Sequence, residues 1–196
     1  MNKAIFLDRD GTINKEKGYL YRADQFEFLP GVVDALRTAQ FNNYKLIVIT
    51  NQSGIARGYY SEEDFEALNT WMLKSLSEQG VVLDAVYYCP HHPKAIIQKY
   101  KINCFCRKPM LGLYARAIAD FNLDLNLCFA IGDKMRDCSI CQVTACHGFL
   151  IGNNEEEALI DDVKAGKIRN IEYVADLPKA VDRIILYSNN TYNCII

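Results

Sequence analysis

The sequence predicts an α/β protein with a mostly parallel central sheet flanked by helices. Three observations carry that expectation. Short apolar runs alternate with segments of helical period along most of the chain, each run ends in a polar residue, and turn or capping residues separate the two kinds of segment. At 196 residues with 50% hydrophobic residues, the chain is the size of one α/β domain and can bury a core without crosslinks. A single domain over residues 1–196 is expected, since no repeat, low-complexity tract or interdomain linker breaks the pattern.

The elements follow in order. "KAIFLD" (3–8), "YKLIVIT" (44–50), "DAVYYC" (84–89) and "LCFAIGD" (127–133) read as strands, with "HGFLIG" from 147 and "IEYVADL" (171–177) as further strands. Between the first two, Pro30 and Gly31 introduce a helix over "VVDALRTAQF". The segment "SEEDFEALNTWMLKSLSEQG" opens on an N-cap serine and ends at a glycine, the two boundary signals of a helix. Phe65, Leu68 and Trp71 recur at helical spacing and are expected in the core. Residues 155–167 read as a solvated helix and loop, with a fringe of the pocket as the alternative, and the tail of about 188–196 as a frayed terminus.

Composition narrows the function classes. A net charge of −2 argues against a general attraction to nucleic acid. The start "MNKAIFLDRDG" turns charged after three apolar residues, and no apolar run is long enough to cross a bilayer, so a soluble cytoplasmic protein is expected. Eight cysteines in such a chain point to thiols and thiolates rather than a disulfide framework. No interaction stripe stands out, and a monomer is expected.

Ligands in open α/β sheets bind beyond the carboxyl ends of the strands. Those positions hold "DRDGT", "TNQSGIARG", a Cys/His-rich segment leading into "RKP", and "GDKMRD". Asp8 and Asp10 lie two apart where a strand is ending, and Gly11 lets the backbone turn sharply. Two carboxylates that close repel unless a cation or proton intervenes, and Asp133 completes an oxygen-rich set suited to Mg²⁺. One carboxylate can then act as nucleophile and the other as general acid and base. Arg57, Arg107, Lys108, Lys134 and Arg136 supply positive charge in the same loops, with hydroxyls from Thr50 and Ser53 and an amide from Asn51. The expected substrate contacts are Asn51, Gln52, Ser53, Arg57, Arg107 and Lys134.

These four segments resemble the signature motifs of the haloacid dehalogenase superfamily of phosphohydrolases. The resemblance implies a Rossmann-like fold with a minimal cap. It implies that Asp8 takes the phosphoryl group, that Asp10 protonates the leaving group and then activates water, and that Thr50 and Lys108 hold the transferring oxygens. By the same likeness Mg²⁺ is bound by Asp8, Asp133 and the Asp10 carbonyl.

Cys89, His91, Cys104 and Cys106 offer three thiolates and an imidazole, a set suited to a closed tetrahedral Zn²⁺ site. Their C-P-H and C-F-C spacings differ from the wider gaps of common zinc fingers. His92 is the alternative to His91, and the resemblance assigns His91. Zinc there would pin the loop of about residues 89–106 next to Arg107 and Lys108, as a structural clamp rather than a catalyst. A second group, Cys138, Cys141, Cys146 and His147, follows "GDKMRD" where a helix is expected, and Cys138 and Cys141 read as small apolar packing residues on one helical face.

Within the superfamily the likeness is to D-glycero-D-manno-heptose 1,7-bisphosphate phosphatases, which carry "DRDGTIN", "TNQSGIARG", "CPHHP", "CxCRKP" and "GDK". It implies a small-molecule sugar bisphosphate as substrate, cleaved at C7 during synthesis of activated heptose for surface polysaccharide. Histidinol-phosphate phosphatases share the four motifs and a similar loop but tend to carry "TNQDG" and "GDR". A nucleic-acid 3′-phosphatase would need a broad basic groove, and a catalytically inactive zinc-bearing module is the reading from a different class. The chain departs from the heptose pattern at "KPMLG", at its three cysteines after the fourth motif, and in "FLIGNNEEEA".

Overall fold

A computed structural model describes residues 1–152 and 154–193. Six strands form one sheet: β1 (Ala4–Leu7), β2 (Lys45–Asn51), β3 (Ala85–Cys89), β4 (Phe129–Gly132), β5 (His147–Ile151) and β6 (Ile171–Val174). Their spatial order is β3-β2-β1-β4-β5-β6, and every neighbouring pair is parallel. This is the doubly wound order, in which the winding direction reverses between β1 and β4. The chain ends of those two strands therefore open a crevice.

Among the described residues there are six α-helices: α1 (Val32–Phe41), α2 (Ser53–Ala56), α3 (Glu62–Ser77), α4 (Gly112–Phe121), α5 (Glu157–Lys164) and α6 (Leu177–Asn193), of which all but α2 cover the sheet faces. Side chains alternate across a strand, so β1 sends Ile5 and Leu7 to one face and Ala4 and Phe6 to the other. The first pair packs with Leu36 of α1, Met72 of α3 and Ile184 of α6. The second packs with Leu113 and Tyr114 of α4 and Ile160 of α5. Strands buried on both faces explain why the runs read as nearly continuous apolar stretches. A smaller cluster of Ile55, Ala56, Tyr60, Phe65, Ala95 and Tyr100 lies beyond the strand ends.

Helix α3 starts as its sequence requires. Ser61 Oγ accepts from Asp64 N at 3.1 Å, and the Asp64 carboxylate accepts from Ser61 N at 2.8 Å, a reciprocal cap with an acidic residue in the usual Glu/Gln position. Among the described residues no helix is long and apolar enough to cross a membrane. The strand ends are covered by loops and the short helix α2 rather than by an inserted domain among the described residues.

Three expectations are corrected. Residues 188–193, expected to fray, continue α6 to Asn193, while 194–196, with Cys194, lie outside the described residues. Earlier in the helix Ala180, Val181 and Ile184 face α1 and the sheet. Trp71 is 37% exposed, on a side of α3 where it meets the Phe26 ring edge-on with centroids 5.3 Å apart. The segment bearing Cys138 and Cys141 is a 3₁₀ rather than an α-helix (Met135–Gln142). There residues three apart stack directly, and Cys138, Cys141 and Cys146 are all fully buried.

Candidate active site

The crevice between β1 and β4 gathers the carboxylates. Asp8, one residue beyond β1, is held by its backbone N–H on Ile131 O at 3.0 Å. Asp133 follows β4 directly, and one oxygen each of Asp8, Asp133 and Asp137 lie within 4.8 Å of one another. Gly11 makes this closeness possible. Its φ is +82°, and a Cβ there would stand 2.3 Å from Asp133 Oδ2.

Lys108 reaches into this group from the far side. Its Nζ lies 2.9 Å from Asp8 Oδ1 and 2.6 Å from Asp137 Oδ1 and donates to Ile49 O at 2.6 Å. Two of its donors go to Asp8 Oδ1 and Ile49 O, and the Asp137 carboxylate is its second ion-pair partner. Burial draws the Lys108 pKa down, but Asp137 and Asp8 outweigh it and leave the value above its ordinary one. In the metal-free protein burial, then Asp137, pushes Asp8 up to about 7 against the pull of Lys108. Burial and Asp137 likewise raise Asp133 to about 6. Clustered, desolvated carboxylates with too little positive charge are the donor set that a hard divalent cation fits.

Asp10 faces a different set of partners. Arg9, only 1% exposed, grips its carboxylate with Nε and Nη2 at 2.9 to 3.2 Å. Asn14 Nδ2 donates to Oδ1 at 3.0 Å and Gln52 Nε2 to Oδ2 at 3.0 Å. The Asp10 side chain is thus outside the three-carboxylate group.

Two adjoining hollows share Asp10, Glu16, Asn51 and Arg136. The smaller, about 140 Å³, is lined by Asp8, Thr50, Asp133 and Lys134. The larger, about 450 Å³, is lined by Tyr19, Ser53, Arg57, Tyr60 and Arg107. Asn51 lines both, yet its amide also clamps the Lys108 backbone, donating to its carbonyl at 3.1 Å and accepting from its N–H at 3.0 Å. Gln52, grouped above with the substrate contacts, also lines the larger hollow, but it is 2% exposed and its amide is engaged within the protein.

The loop after β3 brings Cys89, His91, Cys104 and Cys106 together. The sulfurs are 3.1 to 3.5 Å apart and His91 Nδ1 lies 3.2 Å from Cys106 Sγ and 3.7 Å from Cys89 Sγ. A tetrahedral site with bonds of about 2.0 to 2.3 Å has edges of about 3.5 to 3.8 Å, so the four atoms sit slightly inside that frame. His92 turns away: its Nδ1 accepts from Lys94 N at 3.0 Å and its Nε2 lies 3.3 Å from Arg57 Nη2.

Several residues at the site carried no role in the sequence reading. Asn154 Nδ2 donates to Asp133 Oδ2 at 2.9 Å, and Glu155 Oε1 accepts from Met135 N at 2.7 Å. Their segment "GNNEEEA" has no local mark beyond polarity. Asp137 stood in the fourth motif, where its i+4 spacing from Asp133 was the available signal. Arg9, flanked by two aspartates, reads as a surface charge.

A family model described as polynucleotide kinase 3 phosphatase matches residues 3–139. The D-glycero-beta-D-manno-heptose-1,7-bisphosphate 7-phosphatase of Pasteurella multocida is 43% identical over 92% of this chain and 97% of its own length. That of Haemophilus influenzae is 51% identical over 70% of this chain and 74% of its own. Among solved structures, the D,D-heptose 1,7-bisphosphate phosphatase of B. bronchiseptica, complexed with magnesium and phosphate, superposes with a TM-score of 0.78 at 28% identity, covering 95% of this chain and 99% of its own. A parallel sheet with paired carboxylates at its switch point is the framework of the haloacid dehalogenase-type phosphatases. Within that superfamily, the chain belongs to the heptose bisphosphate phosphatase family of these relatives.

Proposed function

We propose that the protein is a Mg²⁺-dependent phosphatase that removes the C7 phosphate of D-glycero-D-manno-heptose 1,7-bisphosphate, in the cytoplasm and as a monomer, during synthesis of nucleotide-activated heptose. The observation that carries the reading is Asp8 at the mouth of the small hollow, with a larger cation-lined hollow beside it. A bisphosphate needs one place for the group transferred and another for the group kept. Arg57 and Arg107 line only the second.

Asp8 Oδ attacks phosphorus in line with the sugar oxygen, the P–O bond to the sugar breaks, and Asp10 gives its proton to the departing alkoxide. The ionised Asp10 then takes a proton from water, whose oxygen attacks the acyl phosphate, releasing phosphate and restoring the Asp8 carboxylate. Thr50 and Lys108 hold the equatorial oxygens, Lys108 also neutralising Asp8, and Lys134 borders the small hollow in support. Asp8, Asp133 and the Asp10 carbonyl would hold Mg²⁺, which supplies charge neutralisation at the phosphoryl group. Cys89, His91, Cys104 and Cys106 would hold a structural Zn²⁺.

The test is a side-by-side kcat/KM comparison of the two C1 anomers of the bisphosphate with histidinol phosphate, with Mg²⁺ supplied. A preference of at least about 100-fold for one bisphosphate anomer is expected from one extra charge-paired phosphate. Preference for histidinol phosphate would replace this substrate with that of the sister family. No turnover of any phosphomonoester would leave the inactive zinc-bearing module.

A further inference from the structure

Gln52 and Tyr60 form a buried chain of hydrogen bonds that ends on Asp10. The Gln52 amide donates one hydrogen to Asp10 Oδ2 at 3.0 Å and the other to Thr50 Oγ1 at 2.9 Å. Its oxygen accepts from Tyr60 Oη at 2.6 Å and from Arg9 Nη2 at 3.4 Å. The amide has only one orientation that satisfies these neighbours: Arg9 can only donate, and an ionised Asp10 can only accept. Burial, the largest influence on Tyr60, raises its pKa above the ordinary tyrosine value, so its hydroxyl stays protonated and donates.

Packing holds the tyrosine in place. Tyr60 is 5% exposed and stacks on Tyr21 with ring centroids 5.4 Å apart. On its other side it lies against Gly54, where a Cβ would come within 2.1 Å of Tyr60 Cε1. The glycine of "TNQSG" therefore clears the space through which Tyr60 reaches Gln52. Neither Gln52 nor Tyr60 belongs to the small hollow that Asp8, Thr50 and Asp133 line.

We infer that Tyr60 and Gln52 are positioning residues for the general acid: Tyr60 fixes the Gln52 amide, and the amide aims the Asp10 carboxyl at the leaving oxygen. The inference rests on the proposed role of Asp10 and names the residues that make that role effective. A carboxyl held by one donor fewer has a wider range of orientations, and proton delivery suffers when the geometry loosens. A sugar alkoxide needs that proton. p-Nitrophenolate leaves without it.

The experiment measures single-turnover release of the alcohol from the sugar bisphosphate and from p-nitrophenyl phosphate. Tyr60→Phe keeps the ring and its stacking, and Gln52→Leu removes the amide. Each is expected to slow release from the bisphosphate about tenfold more than release from the aryl phosphate. The double variant is expected to be no slower than Gln52→Leu, because Tyr60 acts through Gln52. Equal slowing on both substrates, multiplying losses in the double variant, or a wild-type rate for Tyr60→Phe would overturn the inference. Asp10→Asn on the same two substrates separates the levels. If it shows no dependence on the leaving group, the acid role of Asp10 fails; if it shows one and Tyr60→Phe does not, only the positioning chain fails.

Discussion

The carboxylate crevice and the Cys/His loop lie at the same edge of the sheet, yet they are held by different means. Asp8 and Asp133 extend directly from β1 and β4, whose backbones are locked in register, and are 7% and 3% exposed. The Cys/His loop has only Cys89 in a strand, and Phe105, between two of its sulfurs, is 84% exposed. Strand backbones therefore place the first set, whereas three of the four ligand candidates in the second sit on loop backbone. The crevice crowds carboxylates on fixed strand ends, whereas the loop packs Ala95 and Tyr100 beside α2 and leaves Cys104 and Cys106 partly exposed.

The comparison can be broken at three strengths. Asp8→Asn is expected to lower kcat by at least about 10⁴-fold, the scale seen when a nucleophile is removed. Its melting temperature should stay within a few degrees of wild type, since burial and Asp137 already disfavour charge at this position. Normal turnover would remove Asp8 from the chemistry, and collapse of the fold would show that the crevice depends on its charge for shape.

Cys106→Ser is the matching change in the loop. It should release the bound metal, measured by elemental analysis, lower the melting temperature, and reduce kcat/KM about 10- to 100-fold. Arg107, whose Nη1 donates to His91 O at 3.3 Å, and Lys108 follow the cluster directly, so the loss should fall mostly on KM for the bisphosphate. Full activity and unchanged melting would mean that the loop keeps its form unaided.

The smallest effect is in pH. Without Mg²⁺, Asp8 and Asp133 have folded pKa values raised to about 7 and about 6, chiefly by burial. Groups that hold protons more tightly when folded stabilise the fold at low pH, and that contribution is lost as pH rises through 6 to 7. Differential scanning of the Mg²⁺-free protein should show melting falling between about pH 5 and 8, with added Mg²⁺ raising it more at pH 8 than at pH 5. A Mg²⁺ effect that does not depend on pH would contradict the account of crowded carboxylates.

What could be read from the chain follows the range of the interactions. Runs such as "YKLIVIT" reveal strands because burial on two faces leaves an apolar signature. "DRDGT" and "GDKMRD" stand out because functional residues collect at strand ends. The likeness of "CPHHP" and "CRKP" to known phosphatases pointed to one loop. Trp71 was misjudged because periodicity shows which residues share a face, not what lies opposite that face.

By itself, then, the sequence determined the alternation of strands and helices and the identity of the polar residues that cap each strand, because both depend on neighbours close in the chain. Only the tertiary structure decided that Arg9 and Gln52 turn inward onto Asp10, that Tyr60 closes over Gly54, and that Asn154 reaches Asp133. Those contacts join loops that follow different strands, and a loop's path is set by the packing around it rather than by the residues it carries.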